Sequence, residues 1–286
     1  MHIVVVGAAN IDIITKSKTQ IVSKADNPAD VVLTAGGAAR NITAILASQG
    51  TEVSLIAAVG NDPFGSLLRE NCTDIGINTD AWIVKNNIST GVHIAALENN
   101  GDLYSAFSAI TAPESIRTAE ITKHKTLIKE ADLLILDLNL TEKILAVLVE
   151  LRDGNPIMVD AVSVDKVLRL EGLLDKIDVL KLNRLEAERL TGITLDTKER
   201  VKQAGYSIVS KGAQRVFITL GMAGVCAVDN HNAIFVPALP IVVKNATGAG
   251  AAFSAGLALR FTKDLRGQAE SGVALAAEHL GSIISL

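Results

Sequence analysis

Short unbroken apolar runs alternate along this chain with longer stretches in which apolar residues recur at helical spacing. "HIVVVG" (2–7) reads as a strand, and "AARNITAILASQG" (38–50) as a helix with Gly50 just past its end. "EVSLIAAVG" (52–60) is a second strand. "DPFGSLLRENCTDIG" (62–76) is a helix with Pro63 near its first position and Gly76 at its stop. The rhythm returns with strands "DLLILDLN" (132–139), "PIMVDAV" (156–162), "DVLKLN" (178–183) and "RVFITL" (215–220). Helical stretches separate them, among them "TEKILAVLVELRDG" (141–154) with Thr141 as its cap. Such alternation predicts an α/β fold of three layers, a mostly parallel sheet with helices on both faces. In open sheets of this kind ligands bind outside the carboxyl ends of the strands.

Two segments break the rhythm. Residues 13–35 are extended and polar, and residues 89–110 have the pattern of a β-hairpin around "NNGD". Together they predict a small sheet over the ligand edge, read either as a lid or as two surface hairpins. All 286 residues are expected to form one unit carrying this appendage.

Aromatic residues make up only 3 % of the chain, so small aliphatic side chains must fill the interior, as in buried parallel sheets. Net charge is −4, and the lysines of "KSKTQIVSK" (16–24) are interrupted, which argues against nucleic acid as a partner. No apolar stretch approaches a membrane span, and the first ten residues lack the pattern of a secretion signal. Cys72 and Cys226 are far apart, as expected of buried thiols in a reducing, cytoplasmic setting.

The candidate chemistry lies at strand ends. In "TGAGAAF" Gly248, Ala249 and Gly250 precede a small-residue helix, where bare amides and the helix dipole suit a phosphate or an oxyanion. The same turn also serves as a packing device. "AGGAARN" places Gly36 and Gly37 before a helix with Arg40 and Asn41 in its first turn. "GAANID" sets Asn10 and Asp12 just beyond the first strand, and "TLGMAG" sets Thr219, Gly221 and Gly224 after another. "LNRLEAE" sets Asn183 at a strand end and Glu186 in the next helix. These five stretches are expected to converge on one sheet edge. There is no Walker-type phosphate loop, no GxGxxG, no HExxH and no GxSxG. Simpler roles stay open: a turn cap for Asp12, a first-turn acid for Glu186, a surface ion pair for Arg40 and lid packing for His93.

In their order these motifs resemble the ribokinase-like, or PfkB, family of carbohydrate and nucleoside kinases. The resemblance covers nearly the whole chain and is strongest to the pseudouridine kinases, through "ADNPADVVLTAGGAARNI", "DLNLTEKIL", "VDAVSVDKV" and "LKLNRLEAERLTG". It implies a ribokinase-like fold and transfer of the γ-phosphoryl group of ATP, with Mg²⁺, to a hydroxyl of a sugar or nucleoside. By position, Asp12, Gly37 and Asn41 would hold the acceptor, with Asn10, Gly36 and Arg40 beside them. The amides of Ala249 and Gly250, after Gly248, would form the anion hole. Thr219, Gly221, Gly224 and Asn183 would line the nucleotide, and Glu186 would support the metal. Pairing of two copies through the lid is also implied.

The sequence departs from that family at its centre. The signature aspartate that takes the hydroxyl proton is replaced by Ala251, in a motif that here reads Asn245, Ala246, Thr247, Gly248, Ala249, Gly250, Ala251. Loss of a positioned base lowers a rate by ~10²–10⁴-fold. Ala161 and Leu182 replace prolines usual in the pseudouridine kinases, and "SAIT" (108–111) lacks the lid aspartate. The chain ends at "GSIISL", before residues that in the family close the adenine pocket, so weaker ATP binding is expected. Either the base was removed from a working kinase or the scaffold has become a binding protein.

Overall fold

The computed structural model describes residues 1–242 and 248–281. The chain enters through β1 (His2–Gly7) and leaves it for β2 (Asn10–Ser17) and β3 (Ala29–Gly36) of a second sheet. It returns through α1 (Ala38–Ser48), β4 (Glu52–Gly60), α2 (Pro63–Asp74) and β5 (Ile83–Lys85). A second excursion adds β6 (Gly91–Leu97) and β7 (Leu103–Ala109) to the small sheet. Then follow α3 (Thr118–Thr122), α4 (Lys125–Lys129), β8 (Leu133–Asp137), α5 (Glu142–Leu151), β9 (Ile157–Asp160) and β10 (Val179–Asn183). The last elements are α6 (Arg184–Thr191), α7 (Lys198–Val209), β11 (Arg215–Thr219), β12 (Val225–Asp229), β13 (Ala233–Val236), α8 (Ala249–Leu259) and α9 (Leu265–Gly281).

Among the described residues the large sheet has nine strands in the order β13-β12-β11-β10-β9-β8-β1-β4-β5. Pairing is parallel from β11 through to β5. Its interior strands are mostly apolar because both faces are covered, with Asp137, Asp160 and Lys181 as charged exceptions. Alternate residues of β1 serve opposite layers: Val4 and Val6 pack with α3 to α7, Ile3 and Val5 with α1, α2, α8 and α9. The expected punctuation holds. Asp62 caps α2 with Pro63 in its first turn, Thr141 caps α5, and Gly50 and Gly76 take positive φ just past their helices. Two antiparallel edge strands, β12 and β13, lie outside what the strand–helix alternation predicts.

The second sheet has the order β3-β2-β6-β7. It joins the two segments that broke the sequence rhythm, with one correction. Asn10 and Asp12 stand just beyond β1, as expected, but already in β2, so the small sheet starts at residue 10 and not at 13, because the chain passes from the large sheet to the small one within Ala8 and Ala9. Of the acceptor candidates, Asn10, Asp12 and Gly36 are therefore carried by the small sheet, and Arg40 and Asn41 by α1. Among the described residues no helix is long and apolar enough to cross a membrane. The signature residues Asn245, Ala246 and Thr247, and the last five positions of the chain, lie outside the described residues.

Candidate functional site

Strands β1, β8, β9, β10 and β11 run parallel, so their carboxyl ends share one edge. The glycine turn before α1 stands there. Gly37 has φ 101°, and a Cβ on it would strike the Ala8 carbonyl, so no other residue suits the position. A fully buried carboxylate, Asp137 at the end of β8, ties the turn down. Its Oδ2 accepts from the amides of Ala8 (2.8 Å) and Ala39 (3.0 Å), and Oδ1 from that of Asn139 (2.8 Å). Burial pushes the Asp137 carboxyl upward against these amides.

Asp12 lies diagonally across the β2–β3 pair from Gly36, whose register partner is Asn10, and a Cβ on Gly36 would overlap the Asp12 carboxylate. Asn10 Nδ2 donates to Asp12 Oδ1 at 2.6 Å. Strand register lines up Thr34, Asp12, His93 and Ser108 as one polar row, and His93 Nδ1 bonds Ser108 Oγ at 2.7 Å. Burial raises the Asp12 carboxyl from its ordinary value, opposed by the Asn10 bond and by the charges of His93 and Arg40. Among the described residues Arg40 makes no ion pair. Its Nη1 donates to Ala35 O and Asn41 Oδ1, and its Nη2 to Asn71 Oδ1. Its Nε is buried with no partner.

The second glycine turn opens α8. Gly248 caps the helix in the left-handed region at φ 84°, and Ala249 and Gly250 are the first two helical residues, whose amides have no partner within the helix. Beneath them lies a buried ion pair. Lys181 Nζ meets Asp160 Oδ1 at 3.0 Å, Asp160 Oδ2 accepts from Ser254 Oγ at 2.7 Å, and a Cβ at Gly250 would stand 3.1 Å from Lys181 Nζ. Burial depresses the Lys181 ammonium, but the facing Asp160 and Glu186 outweigh it and leave it raised. The α8 terminus thus carries a positive charge below as well as its own dipole. Ala251 is half-buried, and its methyl packs with the apolar cluster under α8.

Asn183 and Thr219 are register partners at the ends of β10 and β11, with Thr219 Oγ1 donating to Leu182 O. Asn183 caps α6, and Glu186 returns the bond: Glu186 N donates to Asn183 Oδ1 while Asn183 N and Nδ2 donate to the Glu186 carboxylate. Glu186 is therefore a capping acid first, and burial raises its carboxyl against the pull of Lys181. Gly221 opens a short 3₁₀ turn after β11 that Gly224 ends, with Leu220 N donating to Gly224 O.

One cavity of about 600 Å³ joins the two turns. Asp12, Arg40 and Asn41 line it from one side and Gly248 and His279 from the other, with Ile14, Leu33, Ala44 and Leu97 as apolar wall. Asn10, Gly36, Gly37, Ala249, Gly250 and Ala251 shape its surroundings without lining it, and Asn183, Glu186, Thr219, Gly221 and Gly224 stand apart along the same edge. Sequence reasoning missed Asp137, Asp160, Lys181, Asn71 and His279. The signal for three of them was a charge within an apolar strand run, in "LLILD", "IMVD" and "VLKLN".

Residues 1–283 match the family model described as pfkB family carbohydrate kinase. A pseudouridine kinase of Escherichia coli strain K12 is 30 % identical over 286 residues, covering 97 % of this chain and 91 % of that protein. The structure of a carbohydrate kinase from Agrobacterium tumefaciens superposes with a TM-score of 0.87 at 27 % identity, covering 99 % of this chain and 92 % of that one. A ribokinase from Arabidopsis thaliana, solved with ribose and ATP, shares the fold with a TM-score of 0.86 at 24 % identity, covering 98 % and 92 %.

Proposed function

This chain belongs to the pfkB family of carbohydrate kinases, and on that premise we propose that it transfers the γ-phosphoryl group of ATP to a hydroxyl of a pseudouridine-like nucleoside, slowed by the alanine at 251. One observation carries the reading: residues of the α1 turn and Gly248 of the α8 turn line a single cavity. Asp12 and Asn41 accept from and donate to sugar hydroxyls, with Arg40 beside them. The apolar wall of Ile14, Ala44 and Leu97 takes the flat base. The amides of Ala249 and Gly250 and the Lys181 charge stabilise the transferred group, since phosphoryl transfer depends on positioning and charge. Asn183, Thr219, Gly221 and Gly224 line the route of the nucleotide along the neighbouring strand ends.

A single carboxylate engaged in a helix cap builds no metal cage. It would suit Mg²⁺ brought by the phosphates, with Glu186 as the residue that would support it. When bound, that ion neutralises phosphate charge. The small sheet acts as lid. A row of side chains set by its register, Leu33, Ile13, Ile94 and Phe107, leaves Phe107 68 % exposed, which suits pairing with a second copy.

The test is phosphoryl transfer from ATP to pseudouridine, ribose, fructose and other nucleosides, using this chain and its Ala251→Asp variant. A large gain in the variant supports an otherwise intact kinase. A second reading, a sugar-binding protein without turnover, is favoured by Ala251 and by "SAIT" (108–111), which lacks the lid aspartate. Acceptor binding with no turnover in either protein would establish it.

A further inference from the structure

The polar groups along the cavity are not free to point either way. Arg40, in the first turn of α1, bridges three elements. Its Nη1 donates to Ala35 O near the end of β3 at 3.2 Å and to Asn41 Oδ1 of α1 at 3.1 Å, and its Nη2 donates to Asn71 Oδ1 of α2 at 2.5 Å. A guanidinium only donates. The atom of Asn41 that faces it is therefore the amide oxygen, and the amide nitrogen is turned away from it. Asn41 lines the cavity, and among the described residues nothing accepts from its Nδ2. On β2 the order is reversed. Asn10 Nδ2 donates to Asp12 Oδ1, and among the described residues nothing donates to Asp12 Oδ2. The site thus offers one bare donor from α1 and one bare acceptor from β2. Both N–H groups of Nη1 are spent and Nε is buried, so the guanidinium has little left to give a ligand.

We infer that Arg40 is a positioning residue: it fixes the side-chain amide of Asn41 so that a donor, and not a second acceptor, stands beside the Asp12 carboxylate. The inference rests on the acceptor reading above and gives Arg40 no contact with the sugar. Two neighbouring hydroxyls satisfy the pair at once, one accepting from Asn41 Nδ2 and the other donating to Asp12 Oδ2. Without the guanidinium the Asn41 amide is free to turn its oxygen to the cavity, where it competes with Asp12 for the same hydroxyl protons. Asn71, exposed on α2, braces the guanidinium from its far side.

The test is a double-mutant cycle read by calorimetry. Pseudouridine, ribose and fructose, and separately a non-hydrolysable ATP analogue with MgCl₂, are titrated into the unaltered chain, Arg40→Met, Asn41→Leu and the double variant Arg40→Met with Asn41→Leu. Arg40→Met is expected to raise the Kd of the sugar that binds by ~10-fold and to leave that of the ATP analogue unchanged. Asn41→Leu should cost at least as much, and in its presence Arg40→Met should add little, a result that a merely structural role would not give. If Arg40→Met does not fold, Asn71→Ala decides, because its exposed position spares the fold. A loss of a few fold that vanishes in the Asn41→Leu background supports the inference, and an unchanged Kd overturns it. If Arg40→Met weakens sugar binding equally with and without the Asn41 amide, or not at all, the assignment is wrong and the acceptor reading stands. If no sugar of the panel binds the unaltered chain, the acceptor reading fails and the inference with it.

Discussion

Two glycine turns open two helices at the same sheet edge, and they are held by opposite means. The turn before α1 is pinned by an anion: Asp137 receives three backbone amides, one of them from α1 itself. The turn before α8 rests on a cation: Lys181, paired with Asp160, lies under Gly250. A carboxylate spends the amides at a helix start, whereas an ammonium leaves them for an incoming anion. In the proposed reading, the first turn positions polar side chains for a neutral acceptor, and the second keeps a bare cradle for phosphate. The chain carries the proposed acceptor side chains Asp12, Arg40 and Asn41 and both glycine turns, with an alanine at 251.

The strongest way to sharpen this contrast is Ala251→Asp. Steady-state kinetics should show kcat rising by ~10²–10⁴-fold, equivalent to about 3–5 kcal/mol of barrier. An unchanged rate would mean that the cradle is not where transfer occurs. Next comes Lys181→Met, which leaves Asp160 buried beside Ser254 without its cation. Denaturant unfolding should register a loss of roughly 3–5 kcal/mol, and binding of a non-hydrolysable ATP analogue should weaken in the folded fraction. Full retention of both would remove the cation from the comparison. Gly37→Ala attacks the other turn, forcing a Cβ onto the Ala8 carbonyl at φ 101°. A cost of about 1–3 kcal/mol and loss of acceptor binding are expected by thermal melts and calorimetry.

The smallest effect distinguishes function from stability at one residue. Asp12 has a folded-state pKa raised above its ordinary 3.8 by burial. The folded protein therefore holds the proton more readily than the unfolded chain. Stability attached to Asp12 is present below 3.8 and is lost as pH rises through the raised folded value. Asp12→Asn should melt higher than the unaltered chain at neutral pH, with the difference closing on acidification, while acceptor affinity drops. A variant that melts lower at pH 7 would show that the carboxylate is satisfied in the fold and not held against it.

Much of this was legible in the chain. Apolar runs and helical periodicity are local properties, so the strand–helix alternation, the glycine stops and the caps at Asp62 and Thr141 could be read without coordinates. The other chemical stretches were legible for the same reason, since each is marked by glycines or a capping residue at a strand end or helix start, whereas Asn10 and Asp12 lie within β2. Glu186 shows the limit of that reading. Its spacing from Asn183 suits both a capping box and a metal support, and the hydrogen bonds fill the first role.

What the sequence by itself determined is the α/β class, the order of elements and the places where backbone amides are left open, because these depend on residues within a few positions of one another. Tertiary structure alone decided which charges sit beneath and beside those amides. Asp137 meets Ala8 across 129 positions, Asp160 meets Ser254 across 94, and His279 reaches Gly248 only because α9 packs back along α8. Periodicity says that a strand is buried, but not which buried charge will face which turn, since that depends on where distant elements end once the sheet has assembled.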